Sequence, residues 1–453
     1  MSGDPARAGW ISAPIGNLAP RFRGAVIALA TLAGSGYAAW KELHYRSPFY
    51  MADIWSYLSI ARGNAAGLVQ PFASRQLGPL IVRGLDALLH IDAHRGFEIE
   101  ATASLLVLVG VLFALAGRSR APWWVLVAIA VAPMMPDTML GMVLPDLFYA
   151  ALLAIFLILL ERELWVAAAL WMLPLMVARE STSLTLACLL LAAWRPLRLR
   201  GCLLAIASAA GGAGIVHYLS RSSPGNPQHL PESVYILLKV PWNTAQNLFG
   251  VELWNNINYG CGTPVWQHAF HLGSIHSVGF CGFNPALPRI TLMAGLTEFG
   301  LLPLLAAFVL WRRRSRPAAP EARTEGYATM LRFATIYGTA YFLLGPLLGT
   351  GVPRLMGYAW PLFFVVLPSW IGESGQSSWV RSRRAIWAVP LFLAIHWAIS
   401  WVYWQEVYLP EILLGWAVAA VLLTFWSRAE TPAPGDDAAS RSKALPADAP
   451  AGA

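Results

Sequence analysis

The sequence predicts an all-α fold, a polytopic membrane helical bundle of about 12 transmembrane helices, and three observations carry that prediction. Of 453 residues, 57% are hydrophobic and only 12% charged, roughly half the charge of an average soluble chain. The mean hydropathy is +0.54. The apolar residues recur in runs near the roughly 20 residues that cross a bilayer core. Together these exclude an ordinary soluble globular protein. Lys and Arg (32) exceed Asp and Glu (24), for a formal charge of +8. The basic residues fall mostly between the apolar runs, the pattern of loops that hold a topology and not of a nucleic-acid groove.

Taken in order, residues 1–23 read as a cytoplasmic N-terminal segment that is retained, because no small-residue cleavage site follows a short apolar region. A transmembrane domain is expected over 24–428. Its apolar runs lie at about 24–42, 98–116, 121–136, 143–160, 164–178, 181–194, 201–219, 290–311, 329–349, 355–371, 385–402 and 408–426. An even number of runs puts both termini on one face. Arg118, Arg120, Arg162, Arg195, Arg198, Arg200, the run Arg312 to Arg314, Arg381, Arg383 and Arg384 make that face the cytoplasm. Two connections are long, at about 43–97 and 220–289, and both fall on the outer side, so function is sought there. Residues 429–453, rich in Ala, Pro and Asp, read as a disordered cytoplasmic tail. No internal repeat stands out.

The first outer loop opens with Met51-Ala-Asp-Ile-Trp-Ser-Tyr57, which fits a short interfacial helix. Helical spacing places Asp53 and Tyr57 on one face, with Trp55, Leu58 and Arg62 turned toward lipid and headgroups. Arg62, Arg75, Arg83 and Arg95 lie on the side where the topology rule disfavours cations. Either a phosphate held by Arg forks compensates them, or ion pairs with Asp86, Asp92, Glu98 and Glu100 do. Further ionisable residues sit at the outer ends of runs: Asp137 and Asp146, the Arg179-Glu180 turn, and Arg354. Such groups at membrane depth are functional candidates by default. Pairing of Arg179 with Glu180, or of Arg354 with Asp146, is the plainer alternative, and both readings stand at this point.

The second outer loop, Pro241 to Asn256 and on to Trp266, His268 and His271, combines Trp, Asn, Gln and His. These side chains suit sugar faces and hydroxyls, and they suit any interfacial loop equally. Cys261 and Cys281 flank part of it and are expected to form a disulfide in an oxidising compartment. No paired spacing marks a metal site at His268, His271 or His276.

With these residues in view, the chain resembles the GT-C superfamily, integral-membrane glycosyltransferases that use polyprenyl-phosphate sugars as donors. The resemblance rests on Asp53, Tyr57 and Gly63, the stretch Pro71-Phe72-x-x-Arg75-x-Leu77-x-Pro79-Leu80, the Arg179-Glu180 turn, and Arg354 followed by Pro361. It implies sugar transfer to a lipid-linked glycan or other acceptor at the outer face of a bacterial inner membrane. Asp53 is then the catalytic base, and Tyr57, Arg75, Asp146, Arg179, Glu180 and Arg354 form the substrate and phosphate site. No organic cofactor and no nucleic-acid partner is implied. The paired acidic motif of the family is missing, since Ala52 and Ile54 flank Asp53, which leaves a divalent metal open. A transporter or lipid flippase is the alternative, expected to carry charges near span centres and broken helices.

Overall fold

A computed structural model describes residues 20–44, 51–64, 67–119, 121–134, 144–226, 229–230, 232–257, 261, 263–315, 324–349, 351–374, 384–402 and 408–427. Helices dominate. They are α1 (Pro20–His44), α2 (Met51–Ala61), α3 (Leu77–Leu89), α4 (Ala93–Arg118), α5 (Trp123–Ala130), α6 (Pro145–Glu161), α7 (Trp165–Leu170), α8 (Met172–Ala178), α9 (Thr182–Leu219) and α10 (Glu232–Phe249). After three strands come α11 (Ala286–Thr297), α12 (Leu302–Ser315), α13 (Glu325–Leu348), α14 (Val352–Gly357), a π-helical turn (Leu362–Val366), α15 (Leu367–Ser374), α16 (Ala385–Val402) and α17 (Leu409–Ser427). Residues 1–19, the tail 429–453 and Asp137 lie outside the described residues.

Among the described residues, four helices are long and apolar enough to cross a membrane: α4, α9, α13 and α17. A fifth span results if α11 and α12, bent by 65°, are taken together. The expectation of about 12 spans is therefore met only in part; several of the expected runs form helices too short to count as spans by length, and two show backbone breaks. The run at 164–178 splits into α7 and α8 because Pro174 lacks an N–H and its ring crowds the carbonyl of Leu170, the last residue of α7. The 38 residues of α9 would reach ~57 Å if straight, but non-helical angles at Ala193 and Arg198 around Pro196 divide them into two arms.

The all-α expectation also needs correction. The second outer loop folds into a three-stranded antiparallel sheet, β1 (Val251–Asn255), β2 (Trp266–Leu272) and β3 (Ile275–Phe283), in the order β1-β3-β2. The sequence carries only a weak sign of it, because Trp-Gln-His-Ala-Phe-His-Leu does not alternate strictly between apolar and polar residues and its residues are nearly all exposed. The turn to β3 passes through Gly273, whose φ of 58° a side chain would disfavour. Cys261 and Cys281 are joined by a disulfide, with Cα atoms 6.2 Å apart, which ties β3 to the chain before β2.

The main core runs continuously through α4, α5, α6, α9, α12, α13 and α16. A second, smaller core lies under the first outer loop and contains Tyr57, Leu58, Val82, Phe97 and Leu144. Leu58, expected to face lipid, is thus buried, whereas Trp55 is exposed. Two glycines of α13 let the chain after it approach closely. A Cβ on Gly338 would stand 2.5 Å from Leu362 Cβ, and one on Gly345 would stand 2.9 Å from Met356 Cγ.

The break between α11 and α12 is held by His396 of α16. Its Nδ1 accepts from Leu301 N at 3.0 Å, so Nε2 carries the proton and donates to Ala128 O at 2.8 Å. Gly300 turns at φ 53° directly against that ring, where a Cβ would stand 2.4 Å from the imidazole. Gly300→Ala should therefore cost about 1–3 kcal/mol of backbone strain plus a displaced imidazole. Thermal unfolding in detergent should show a clearly lower Tm; an unchanged Tm would mean that this contact does not hold the break.

Candidate functional site

Five separate pieces of chain bring the candidate residues together. In α2, Asp53 and Tyr57 are one turn apart. Tyr57 is fully buried, and the Asp53 side chain is 26% exposed. The loop after α2 passes through a short 3-10 turn, Phe72–Ser74, into Arg75. It is fixed by Gln76 N donating to Val177 O at 3.1 Å, Gln70 N to Gly225 O at 3.0 Å, and Ser223 Oγ to Leu68 O at 2.6 Å. The first of these bonds sets Arg75 beside the end of α8.

There Arg179 leaves the helix with φ −160° and ψ 137°. Extended backbone sends successive side chains to opposite sides. Arg179 accordingly turns inward, with 4% of its side chain exposed, while Glu180 turns outward with 41% exposed. Asp146 follows Pro145, the first residue of α6, and is buried. Arg354 lies on α14, and Tyr358 closes that helix one turn later. The preceding chain is held from α10, where Asn243 donates to Leu347 O and Asn247 donates to Pro346 O and Gly349 O. Two asparagines whose type suits sugar contact thus satisfy the free carbonyls at the end of α13 instead.

The resulting arrangement has two lobes. In the first, Arg75 grips Glu180 with a fork, Nε to Oε2 at 3.0 Å and Nη2 to Oε1 at 2.6 Å, and donates from Nη1 to the Tyr57 hydroxyl at 2.9 Å. In the second, Arg179 Nη1 donates to Asp146 Oδ1 and to the Tyr358 hydroxyl, which itself donates to Asp146 Oδ1. The Arg179 guanidinium also lies over the Tyr358 ring, 4.5 Å from its centroid. Arg354 spans outward from this lobe. Its Nη2 is 2.6 Å from Asp146 Oδ2, an ion pair outside hydrogen-bond angles, and its Nη1 donates to Asp53 Oδ2 at 3.3 Å.

All seven residues read from the sequence therefore meet in one cluster of three guanidinium groups and three carboxylates. Arg354 does pair with Asp146. Arg179 does not pair with Glu180: Arg179 goes to Asp146 and Glu180 to Arg75. Arg75 is thus compensated from the far side of the fold and not by its sequence neighbours. Of those neighbours, Asp92 caps α4 by accepting from His94 N and Arg95 N, and Glu98 faces His94. Glu100 is buried, and its Oε1 has no hydrogen-bond partner among the described residues. Sequence reasoning missed Tyr358; its one signal is the helical i, i+4 spacing from Arg354.

Two buried donors in the cluster remain unmatched. Arg179 Nε and Arg354 Nε have no hydrogen-bond partner among the described residues. Buried guanidinium N–H groups without acceptors suit the oxygens of an anionic group such as a phosphate. Asp146 Oδ2 also lacks a hydrogen-bond partner among the described residues, but the Arg354 guanidinium stands against it at 2.6 Å. No group of three or more His, Cys, Asp or Glu that could hold a metal ion occurs among the described residues. In the sheet, His268 stacks on Trp266 at 5.8 Å, and His271 faces His276 at 5.7 Å between ring centres.

No family model, no curated protein and no solved structure matches the chain.

Burial alone would raise the Glu180 carboxyl, but the Arg75 fork, aided by Arg179, holds it down to about 2 from an ordinary 4.5. A carboxylate lowered on folding contributes stability above its unfolded value and loses it as pH falls through the folded one. The Tm advantage of the parent protein over Glu180→Gln should therefore be full above about pH 4.5 and shrink toward pH 2. The exposed side of Glu180 keeps that advantage modest. A Tm difference independent of pH across this window would disprove the assignment.

Proposed function

We propose that this chain is a membrane glycosyltransferase. It moves a sugar from a polyprenyl-phosphate donor to a lipid-linked glycan or other acceptor at the extracytoplasmic face of a bacterial inner membrane, which it crosses twelve times in the scheme of its apolar runs, with both termini in the cytoplasm. The observation that carries this reading is the convergence of Asp53, Tyr57, Arg75, Asp146, Arg179, Glu180 and Arg354 on one cluster, with two buried guanidinium donors unmatched. Asp53 and Glu180 are both partly exposed, but Glu180 is gripped by a two-armed fork whereas Asp53 is held through one contact at 3.3 Å, which suits Asp53 to meet a substrate.

In this reading the bond between the sugar anomeric carbon and the donor phosphate oxygen breaks, and the electron pair leaves with the polyprenyl phosphate. The acceptor hydroxyl oxygen forms the new bond from the opposite face, and its proton passes to Asp53. Charge grows on the departing phosphate. Arg354 and Arg179, preorganised by Asp146 and Tyr358, stabilise it. Arg75 acts one layer back, fixing Tyr57 and, with it, the α2 face that carries Asp53.

One observation favours the second reading, a transporter or lipid flippase. The bent pair α11 and α12 has buried Glu298 at its break, and discontinuous helices with a carboxylate at the gap form ion sites in transporters. Radiolabelled polyprenyl-phosphate sugars with a membrane lipid extract and purified protein separate the two. The glycosyltransferase reading expects transfer that falls by about 10²–10⁴-fold in Asp53→Asn and a raised apparent KM for the donor in Arg354→Ala. Transfer undiminished in Asp53→Asn removes the base assignment. Absence of transfer from every donor, with flux of the lipid in vesicles, favours the flippase.

A further inference from the structure

The charges of the cluster balance, three guanidinium groups against three carboxylates, so an anionic donor arrives with one negative charge too many. One carboxylate has to yield its place. Glu180 is gripped by both arms of a fork at 2.6 and 3.0 Å. Asp146 is 3% exposed and is contacted by Arg179, Arg354 and the Tyr358 hydroxyl. Asp53 has one ion pair among the described residues, to Arg354 Nη1 at 3.3 Å, and is 26% exposed. Arg354 itself stays anchored through Nη2 on Asp146 and keeps a buried, unmatched Nε.

We propose that Arg354 is a donor-operated latch on Asp53: the donor phosphate takes the Nη1 that Asp53 holds in the empty protein, and this exchange releases the Asp53 carboxylate to face the acceptor. The inference rests on the glycosyltransferase reading and deepens it by giving the reaction an order, donor before acceptor. During turnover the proton that Asp53 accepts offsets the second negative charge that appears on the phosphate as it departs, so the net charge of the site does not change in the chemical step. Arg354 here positions Asp53 in addition to meeting the phosphate.

Asp53 labelling by dicyclohexylcarbodiimide, followed by mass spectrometry of its peptide, reads the latch directly in the full-length protein in detergent. Binding of radiolabelled farnesyl phosphate is measured on the same samples. The expected result is slow labelling of the empty protein, a several-fold rise when farnesyl phosphate is bound, and fast labelling of Arg354→Gln without ligand. Bound farnesyl phosphate with unchanged or slower Asp53 labelling overturns the latch and leaves the donor site standing. Absence of farnesyl phosphate binding overturns the phosphate site, and the latch with it.

Discussion

Withdrawing a charged group from water costs several kcal/mol even after the protein relaxes around it, and Arg179 and Asp146 are withdrawn almost completely, at 4% and 3% exposure. Each is tolerable only opposite the other. Their pairing joins the end of α8 to the start of α6, and Tyr358 adds α14 to the same point. Arg354 extends the join to α2 through Asp53, while Arg75 joins the first outer loop to the turn after α8 through Glu180. The ends of elements far apart in sequence are thus set relative to one another by one network of opposite charges. Removing Arg179 or Asp146 leaves its partner buried and uncompensated, a loss of about 3–5 kcal/mol in comparable buried pairs, whereas the partly exposed Glu180 and Asp53 contribute less.

Apolar contacts alone do not specify this arrangement. The main core is built of Leu, Ala, Val and aromatic residues that pack acceptably in many relative positions. Two features narrow the choice. Small residues on α13 let the segment after α14 come close, so that side-chain size fixes where Arg354 can stand. The asparagines of α10 then bind the carbonyls left free at the end of α13, which removes the remaining freedom of the chain leading into α14.

The helical character and the charged residues of the site were legible in the sequence, for a simple physical reason. An ionisable side chain in an apolar context is costly, so Asp146, Arg179 and Arg354 stand out individually. Their pairing was not legible, because it depends on which helix ends are adjacent. Adjacent residues Arg179 and Glu180 look like partners, and extended backbone at Arg179 sends them apart. Tyr358 was missed because a tyrosine among apolar residues is ordinary, and only its neighbours make its hydroxyl matter. The kink around Pro196 falls between the runs expected at 181–194 and 201–219, whereas the break at Pro174 falls inside the run at 164–178, where apolar composition gave no sign of it. The sheet was not legible because β2 shows neither strict alternation of apolar and polar residues nor a buried face.

In the proposed reading, the neutrality of the cluster has a consequence for how an anionic donor reaches it. Fixed charges that sum to zero cast little field beyond the Debye length, about 8 Å at physiological ionic strength, so the site does not draw anions from a distance. Recognition then operates at contact range, among desolvated groups that dissolved ions screen poorly. Association with the site should change little between low and high salt, unlike capture by a basic surface patch. A ligand carried along the plane of the bilayer meets such a site without needing electrostatic guidance.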